Sequence, residues 1–302
     1  MSGLRDRASG CLLGLACGDA LGGAVEFRDR ADLDRSYPDG IREIMGGGPH
    51  RLAIGEYTDD TEMALAIARA CTPDGIDLDA VAANFVTWFQ SDPKDIGIAT
   101  ASALRLIASG TPWQEAGERL QAISPAGVAG NGTVMRCAPL ALRFHADPER
   151  LGWSSSETSR MTHADPRATW GAVALNQGIA HLLKGGDLPG LIGAANHEIE
   201  EPRVAEAIRR SPAMTRDEAQ SGGYVLETLN AAFWSLLSTD SAESAIARAV
   251  ELGWDTDTTG AVTGALAGAH YGESGLPRRW LDVLHDCDEI RELAHKLVDW
   301  AT

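Results

Sequence analysis

The chain has 302 residues, of which 43 are acidic and 26 basic, so its formal charge is −17 at pH 7. A surface of this sign repels a phosphate backbone, and we therefore expect no nucleic-acid partner. The five cysteines are widely spaced and form no CxxC pair: Cys11, Cys17, Cys71, Cys137 and Cys287. This pattern indicates reduced thiols in the core and argues against a disulfide framework or a zinc ribbon. The apolar stretch 11–18 is too short to cross a bilayer, so we expect a cytoplasmic protein without a membrane span.

Apolar residues recur at helical spacing along most of the chain. Met63, Ile67 and Ala70, for example, lie at i, i+4 and i+7. Helices are predicted near 3–18, 63–71, 81–88, 95–109, 113–122, 167–184, 202–210, 224–237, 241–252, 258–269 and 287–300, and a long loop at 49–57. Alternating β-branched runs are nearly absent, and abundant Ala and Gly let helices approach closely. We predict an all-α fold, a compact orthogonal helical bundle that forms a single domain over 1–302 and is a monomer.

The first acidic cluster, TDDTE at 58–62, lies directly before a predicted helix. One interpretation is a capping box, in which Asp59 is the N-cap and Glu62 stands three residues later. Such a cap gives no role to Asp60, so it leaves one carboxylate at this helix start unexplained.

The second acidic cluster, DTDTTG at 255–260, precedes the Gly- and Ala-rich segment 261–269. Asp255 and Asp257 can converge on one cation, and threonine hydroxyls add neutral oxygen ligands suited to Mg²⁺ or Mn²⁺. A calcium-binding EF-hand is excluded, because its twelfth position requires a bidentate glutamate and here is Leu266. Each cluster alone is compatible with a helix cap. Two such helix starts in one helical protein predict a shared, dinuclear oxygen site.

Residues 130–136, GNGTVMR, are the third candidate element. Their backbone N–H groups, predicted at a helix start, suit a diphosphate. An ordinary turn is the alternative, because the segment lacks the third glycine of a dinucleotide fingerprint and the Gly-Lys-Ser/Thr of a P-loop. The chain has no GxSxG, HExxH or protein-kinase signature, which excludes the commonest nucleophile, zinc and kinase sites.

Seven segments spread over nearly the whole chain form a specific combination: GLACGDALGGAVEF (14–27), MGGG (45–48), YTDDTEMALA (57–66), KDIG (94–97), AGNGTVMRC (129–137), MTHADP (161–166) and GWDTDTTGAVTGALAGAHYG (253–272). This combination resembles the ADP-ribosylglycohydrolase family, most closely its dinitrogenase reductase-activating type. The resemblance implies an all-α fold and two divalent cations, Mg²⁺ or Mn²⁺. It also implies an enzyme that removes ADP-ribose from modified protein side chains, which are arginines in the closest relatives.

Position by position, the resemblance implies six metal ligands: Thr58, Asp59, Asp60, Asp255, Asp257 and Thr258. Glu26 matches an acidic residue beside the metals and Asp95 a carboxylate near the scissile bond, so both are expected to be catalytic. The expected substrate-binding residues are Gly130, Asn131, Gly132 and His163 near the ADP-ribose, and Tyr224 near its adenosine end. Ile98 stands where the dinitrogenase reductase-activating type has an asparagine, and Asp165 stands where it has a second histidine. These two departures affect the expected acceptor specificity more than the expected reaction.

Simpler structural roles stay open for several of these residues. Glu26 is compatible with a solvated charge at a helix end, and Asp95 with a cap of the helix that follows. His163 is compatible with a structural role before the turn at 165–166, and Tyr224 with a core-facing side chain. The other histidines show no ligand spacing and receive no role: His50, His145, His181, His197, His270, His285 and His295.

The favoured hypothesis is hydrolysis of the N-glycosidic bond between ribose C1″ and an arginine guanidinium. Glu26 or Asp95 would act as base or proton relay, either for direct attack by water or after opening of the ribose ring. The alternatives are an O-linked substrate (ADP-ribosyl-serine or O-acetyl-ADP-ribose), a two-metal phosphohydrolase, and a non-catalytic binding or structural module. A pure scaffold would need neither Asp60 nor Asp257, which argues against the last alternative.

Overall fold

Helices make up most of the computed structural model, which describes residues 2–124 and 129–301. Sixteen α-helices occur in these ranges: α1 Ser2–Gly23, α2 Arg30–Ser36, α3 Asp59–Ala70, α4 Leu78–Gln90, α5 Ile98–Ala108, α6 Trp113–Ile123, α7 Ala138–Phe144, α8 Pro148–Arg160, α9 Pro166–Leu183, α10 Leu188–Ala195, α11 Pro202–Arg210, α12 Val225–Leu237, α13 Ala242–Val250, α14 Thr256–Tyr271, α15 Arg278–Leu281 and α16 Cys287–Asp299. A hairpin pairs β1 (Cys71–Thr72) with β2 (Gly75–Ile76), and 3₁₀ helices lie at Ser211–Ala213 and Glu273–Gly275. The predicted all-α fold is confirmed.

The predicted helices are present, and most of their ends shift by one to five residues. The periodicity did not predict α2, α7, α10 and α15, because helices of four to eight residues contain too few turns to show a pattern. It also missed α8, whose sequence PERLGWSSSETSR is mostly polar, and the small hairpin. The predicted loop at 49–57 is confirmed as part of a longer segment without helices, 37–58.

The centre of the fold is an antiparallel pair formed by α1 and α14. Residues 256–269 of α14 are all buried, as are residues 8–23 of α1, so neither helix has a polar face in these stretches. The two helices touch through glycines: a Cβ added to Gly14 would lie 2.3 Å from the carbonyl oxygen of Gly264. At the end of the pair, a Cβ on Gly22 would lie 2.2 Å from the carbonyl oxygen of Thr256. This backbone contact places the turn after α1 beside the start of α14.

Other helices surround this pair: α16, α13, α12, α9 and α3 contact one or both of its members. One cluster of buried apolar side chains extends from Ala8 in α1 to Val298 in α16. The predicted domain over 1–302 includes residues 1, 125–128 and 302, which lie outside the described ranges. The cysteines are free, as predicted, and four are buried while Cys287 is partly exposed. Among the described residues, no helix combines the length and apolar character needed to cross a bilayer.

Candidate active site

The N-termini of α3 and α14 meet in the interior of the protein. The Thr58 hydroxyl lies 3.4 Å from Oδ2 of Asp60 and 3.5 Å from Oδ2 of Asp257. From α14, the Thr258 hydroxyl lies 3.3 Å from the same Asp60 oxygen. Five of the six predicted metal ligands are buried, and Asp255 is partly buried. The structure therefore brings the two acidic clusters together in the interior.

The capping box considered for the start of α3 is wrong. This helix begins at Asp59, and its N-cap is Thr58, whose side chain makes no capping hydrogen bond. Glu62 instead accepts a 2.6 Å hydrogen bond from the indole nitrogen of Trp88. The Thr58 hydroxyl instead donates to Asp19 in α1, 2.9 Å away.

Asp19 is a functional candidate that the sequence reasoning missed. It is fully buried, and its carboxylate accepts hydrogen bonds from the backbone N–H and the hydroxyl of both Thr58 and Thr61. Burial outweighs these four hydrogen bonds and raises the pKa of Asp19 to about 6. Its signal in the sequence is a single carboxylate inside the otherwise apolar stretch LLGLACGDALGG.

The carboxylates of the acidic cluster lie close enough together in the interior to repel one another. Burial, followed by repulsion from neighbouring carboxylates, raises the pKa of Asp59, Asp60 and Asp257 well above the usual range. The buried guanidinium of Arg136 attracts Asp59. In the described part of the chain, Oδ1 of Asp60 is buried without any hydrogen-bond partner. A buried carboxylate oxygen without a partner, among carboxylate and hydroxyl oxygens, is the environment that a hard divalent cation fits.

A cleft of about 610 Å³ opens over this cluster. Its lining includes most of the predicted site residues, namely Glu26, Asp59, Asp95, Gly130, Asn131, Gly132, His163, Asp255, Asp257 and Thr258. Tyr224 is not among the residues that line the cleft: the Arg167 guanidinium lies 5.5 Å from the centre of its ring. Arg167 is in turn paired with Asp165, whose side chain also caps α9. Asp165, which stands in place of a histidine, therefore has a structural partner of its own.

Glu26, His50 and Asp95 meet at one wall of the cleft, from three different loops. The two structural alternatives fail here, because Glu26 is buried and the N-cap of α5 is Gly97 and not Asp95. His50, which received no role from the sequence, has its Nε2 atom 2.6 Å from Oε2 of Glu26 and 3.6 Å from Oδ2 of Asp95. No short-range spacing could reveal this contact, since 24 residues separate His50 from Glu26.

The hydrogen bonds of His50 define where protons lie in this group. Its Nδ1 atom is 3.1 Å from the carbonyl oxygen of Lys94. Because a carbonyl only accepts, Nδ1 carries the hydrogen, and Nε2 faces the carboxylates. Burial, with repulsion from Asp95 and Asp255, raises the pKa of Glu26 to about 9. The raised pKa favours the acid form of Glu26, which can donate to Nε2 of His50.

The loop at 130–136 is a turn and not a helix start, which corrects the first interpretation; α7 begins only at Ala138. The backbone N–H of Asn131 is already used, because it donates to the carbonyl oxygen of Gly223 at 3.2 Å. The side chain of Asn131 donates to Oδ2 of Asp255 at 2.8 Å, so this loop orients a predicted metal ligand. A Cβ on Gly132 would lie 2.9 Å from Cε1 of His163.

His163 lies against this glycine loop as a neutral ring. Burial and the nearby Arg136 guanidinium lower the pKa of His163 to about 3. Its Nδ1 atom lies 2.8 Å from the hydroxyl of Thr162, to which Arg136 donates at 2.7 Å. His163 can therefore act in the cleft as a neutral hydrogen-bonding group, and not as a cation for a diphosphate.

Comparison with known proteins identifies the family. The family model of the ADP-ribosylglycohydrolases matches residues 1–301. The chain is 34% identical to ADP-ribosylarginine hydrolase Tri1 of Pseudomonas putida (strain GB-1), over 98% of this chain and 79% of that protein. It is also 34% identical to ADP-ribosyl-(dinitrogen reductase) glycohydrolase of Rhodospirillum rubrum, over 97% and 95% respectively. A solved structure, an ADP-ribosylglycohydrolase-related protein complex, is similar at a TM-score of 0.83 and 35% identity over 100% of both chains. The chain therefore belongs to the ADP-ribosylglycohydrolase family.

Proposed function

We propose that this protein is a metal-dependent hydrolase that removes ADP-ribose from ADP-ribosylated arginine side chains of proteins. Relatives named ADP-ribosylarginine hydrolase share a third of its residues over nearly its whole length. The structural observation that carries the proposal is the meeting of two acidic helix starts around the unpartnered oxygen of Asp60. Glu26 and Asp95 lie in the same cleft, where an acid–base pair would be needed.

The proposed metal ligands are Thr58, Asp59, Asp60, Asp255, Asp257 and Thr258. All of them offer oxygen atoms, which favours Mg²⁺ or Mn²⁺ over softer metals. Two such cations, when bound, supply Lewis-acid polarisation and a fixed orientation of hydroxyl groups and water. The cleft wall formed by Gly130, Asn131, Gly132 and His163 is proposed to hold the ADP-ribose. Contact of Tyr224 with the adenosine would require Arg167 to leave its ring.

The carboxylates are proposed to move the proton that the reaction transfers. Hydrolysis adds a water oxygen to C1″, and the guanidine nitrogen leaves with a proton. Glu26 is proposed to give its own proton to Nε2 of His50, 2.6 Å away, and the resulting carboxylate then accepts the proton of the water. Nε2 of His50 then holds a proton 3.6 Å from Oδ2 of Asp95, and closing this gap would let Asp95 take that proton and pass it to the guanidine nitrogen as the C1″–N bond breaks. The same atoms could serve a course in which the ribose ring opens first.

Asp95 also supports arginine as the acceptor. A guanidinium is a planar cation that pairs bidentately with a carboxylate, whereas an O-linked serine offers no charge. Ile98, in place of the asparagine of the closest type, lies at the start of α5 with 88% of its surface exposed. It borders the cleft, so it is the first residue to examine if the acceptor differs.

The decisive experiment is incubation with an arginine-ADP-ribosylated protein, followed by mass analysis of the released product. We expect intact ADP-ribose, no release in the presence of a chelator, and recovery with Mn²⁺ or Mg²⁺ but poorly with Zn²⁺. Release of AMP and ribose phosphate would instead identify a phosphohydrolase. Equal or faster cleavage of ADP-ribosyl-serine would contradict the arginine assignment. No product with any substrate would favour the non-catalytic alternative.

A further inference from the structure

Two large aromatic side chains stand exposed at the mouth of the cleft. Phe27 is 60% exposed and Trp254 is 56% exposed, and both line the cleft. Each directly adjoins a carboxylate of the site in the sequence, since Phe27 follows Glu26 and Trp254 precedes Asp255. The entrance of the cleft is therefore lined by two apolar rings, and the carboxylates of the site make the cleft beneath these rings negative. This apolar entrance formed by Phe27 and Trp254 is called the rim.

The backbone holds both residues in a strained conformation. Their φ angles are 63° for Phe27 and 60° for Trp254, in the left-handed region where a bulky residue is rare. The strain is maintained by two hydrogen bonds between the segments: the Phe27 N–H donates to the carbonyl oxygen of Trp254 at 2.7 Å, and the Trp254 N–H donates to that of Arg28 at 2.8 Å. Glycine would fit both positions without this strain.

The placement of the two rings points to the reacting end of the cleft. The Phe27 ring makes an edge contact with His50, with ring centres 6.2 Å apart, and His50 in turn contacts Glu26 and Asp95. Trp254 lines the cleft on one side and a neighbouring surface groove on the other. The rings therefore stand where a protein substrate would enter beside the proposed acid–base pair.

We propose that Phe27 and Trp254 determine acceptor specificity by stacking on the guanidinium and side-chain stem of the modified arginine. This inference rests on the proposed arginine hydrolase function. Aromatic faces attract planar cations, and nearby carboxylates strengthen that attraction, whereas the diphosphate of the ADP-ribose would be repelled by the same carboxylates. The chemistry of the rim therefore matches the cationic acceptor and not the anionic part of the substrate.

The test uses Phe27→Gly, Trp254→Gly and the matched variants Phe27→Leu and Trp254→Leu. Loss of one cation–π contact is expected to raise KM for an arginine-ADP-ribosylated peptide about three- to thirtyfold in all four variants. The Kd of free ADP-ribose, measured with Mn²⁺ present, should change less than about twofold, because the product lacks the guanidinium. The glycine variants should also have a Tm equal to or above that of the parent, because they relieve the left-handed strain.

Two controls separate these effects from general ones. Trp153→Ala removes an exposed indole in α8, outside the cleft, and should leave KM unchanged. Glu198→Gly removes the backbone strain of an exposed residue with a left-handed conformation outside the cleft. This variant should keep the KM of the parent, and its Tm should not fall.

If the parent is active but KM is unchanged in the Phe27 and Trp254 variants, the inference is wrong and the proposed function still stands. A parallel rise in the Kd of ADP-ribose also overturns the inference, because the rings would then contact the nucleotide. A parent that releases no ADP-ribose from the arginine substrate overturns the proposed function and the inference together.

Discussion

Two groups of helix starts in this protein look alike in the sequence but differ in the structure. In α4, α8 and α10 the aspartate before the helix accepts a hydrogen bond from the third residue on, at 2.9 to 3.1 Å, as an ordinary cap does: Asp77, Asp147 and Asp187. In α3 and α14 the residues at the same position, Thr58 and Asp255, make no such bond. The first group lies at the surface, whereas the second meets in the interior.

The difference shows that the same residue type at the same helical position caps its helix at the surface but turns to a second helix start in the interior. A surface cap satisfies a backbone N–H within its own turn, and solvent screens its charge. At α3 and α14 the side chains turn to each other, and Asp60 and Asp257 share neighbours that lie almost 200 residues away in the sequence. The positive ends of the two helix dipoles offset part of the repulsion. Cations bound at the proposed site would offset the rest.

The largest expected effect is on activity, at the buried helix starts. Asp60→Asn or Asp257→Asn should lower kcat at least about a thousandfold, because each removes a charged oxygen ligand from the proposed dinuclear site. Metal binding, measured by calorimetry, should weaken in parallel, while far-UV circular dichroism stays that of the parent. Asp147→Asn, at a surface helix start, is the matched control and should keep full activity. Near-parental kcat in either buried variant would refute the shared site.

An intermediate effect concerns stability and pH. The metal-free protein should become less stable as pH rises, because burial raises the pKa of Asp19 from 3.8 to about 6 and that of Glu26 from 4.5 to about 9. Above about pH 4 the unfolded chain has released protons that the folded chain still binds, so the free energy of unfolding falls through this range. The shift of Asp19 alone corresponds to about 3 kcal/mol.

Thermal unfolding at pH 5 and pH 8, with chelator or with Mn²⁺, measures this effect. We expect the chelated protein to have the lower Tm at pH 8, and Mn²⁺ to raise Tm more at pH 8 than at pH 5, since cations bind the deprotonated carboxylates. A chelated protein that is more stable at pH 8 than at pH 5 would contradict the electrostatic account of the cluster.

The smallest expected effect is at the surface caps. Asp147→Ala should lower the free energy of unfolding by about 1 kcal/mol, because the N–H of Arg150 loses its acceptor. Denaturant unfolding measures this change, and the hydrolase assay should show no loss. A large loss of activity in this variant would mean that the surface and interior helix starts are not functionally distinct.

Much of the fold could be predicted from local patterns. Helices longer than about eight residues with an apolar stripe were found, because their periodicity repeats over several turns. The glycines of α1 and α14 indicated close helix contacts but not which helices would meet, since Gly14 and Gly264 are 250 residues apart. The two acidic clusters were recognised because each combines carboxylates and threonines within six residues.

What the sequence by itself determined was therefore the helical class, the acidic clusters and the motifs that mark the family. Only the tertiary structure decided that the Thr58 side chain does not cap α3. It also decided that Asp19 accepts hydrogen bonds from both Thr58 and Thr61. In the same way, it placed His50 next to Glu26 and Asp95. It also decided that Tyr224 lies under Arg167. The physical reason is common to all four: each depends on contacts between side chains from separate segments, and a carboxylate, an imidazole or a ring acquires its role only from the burial and the partners that packing supplies.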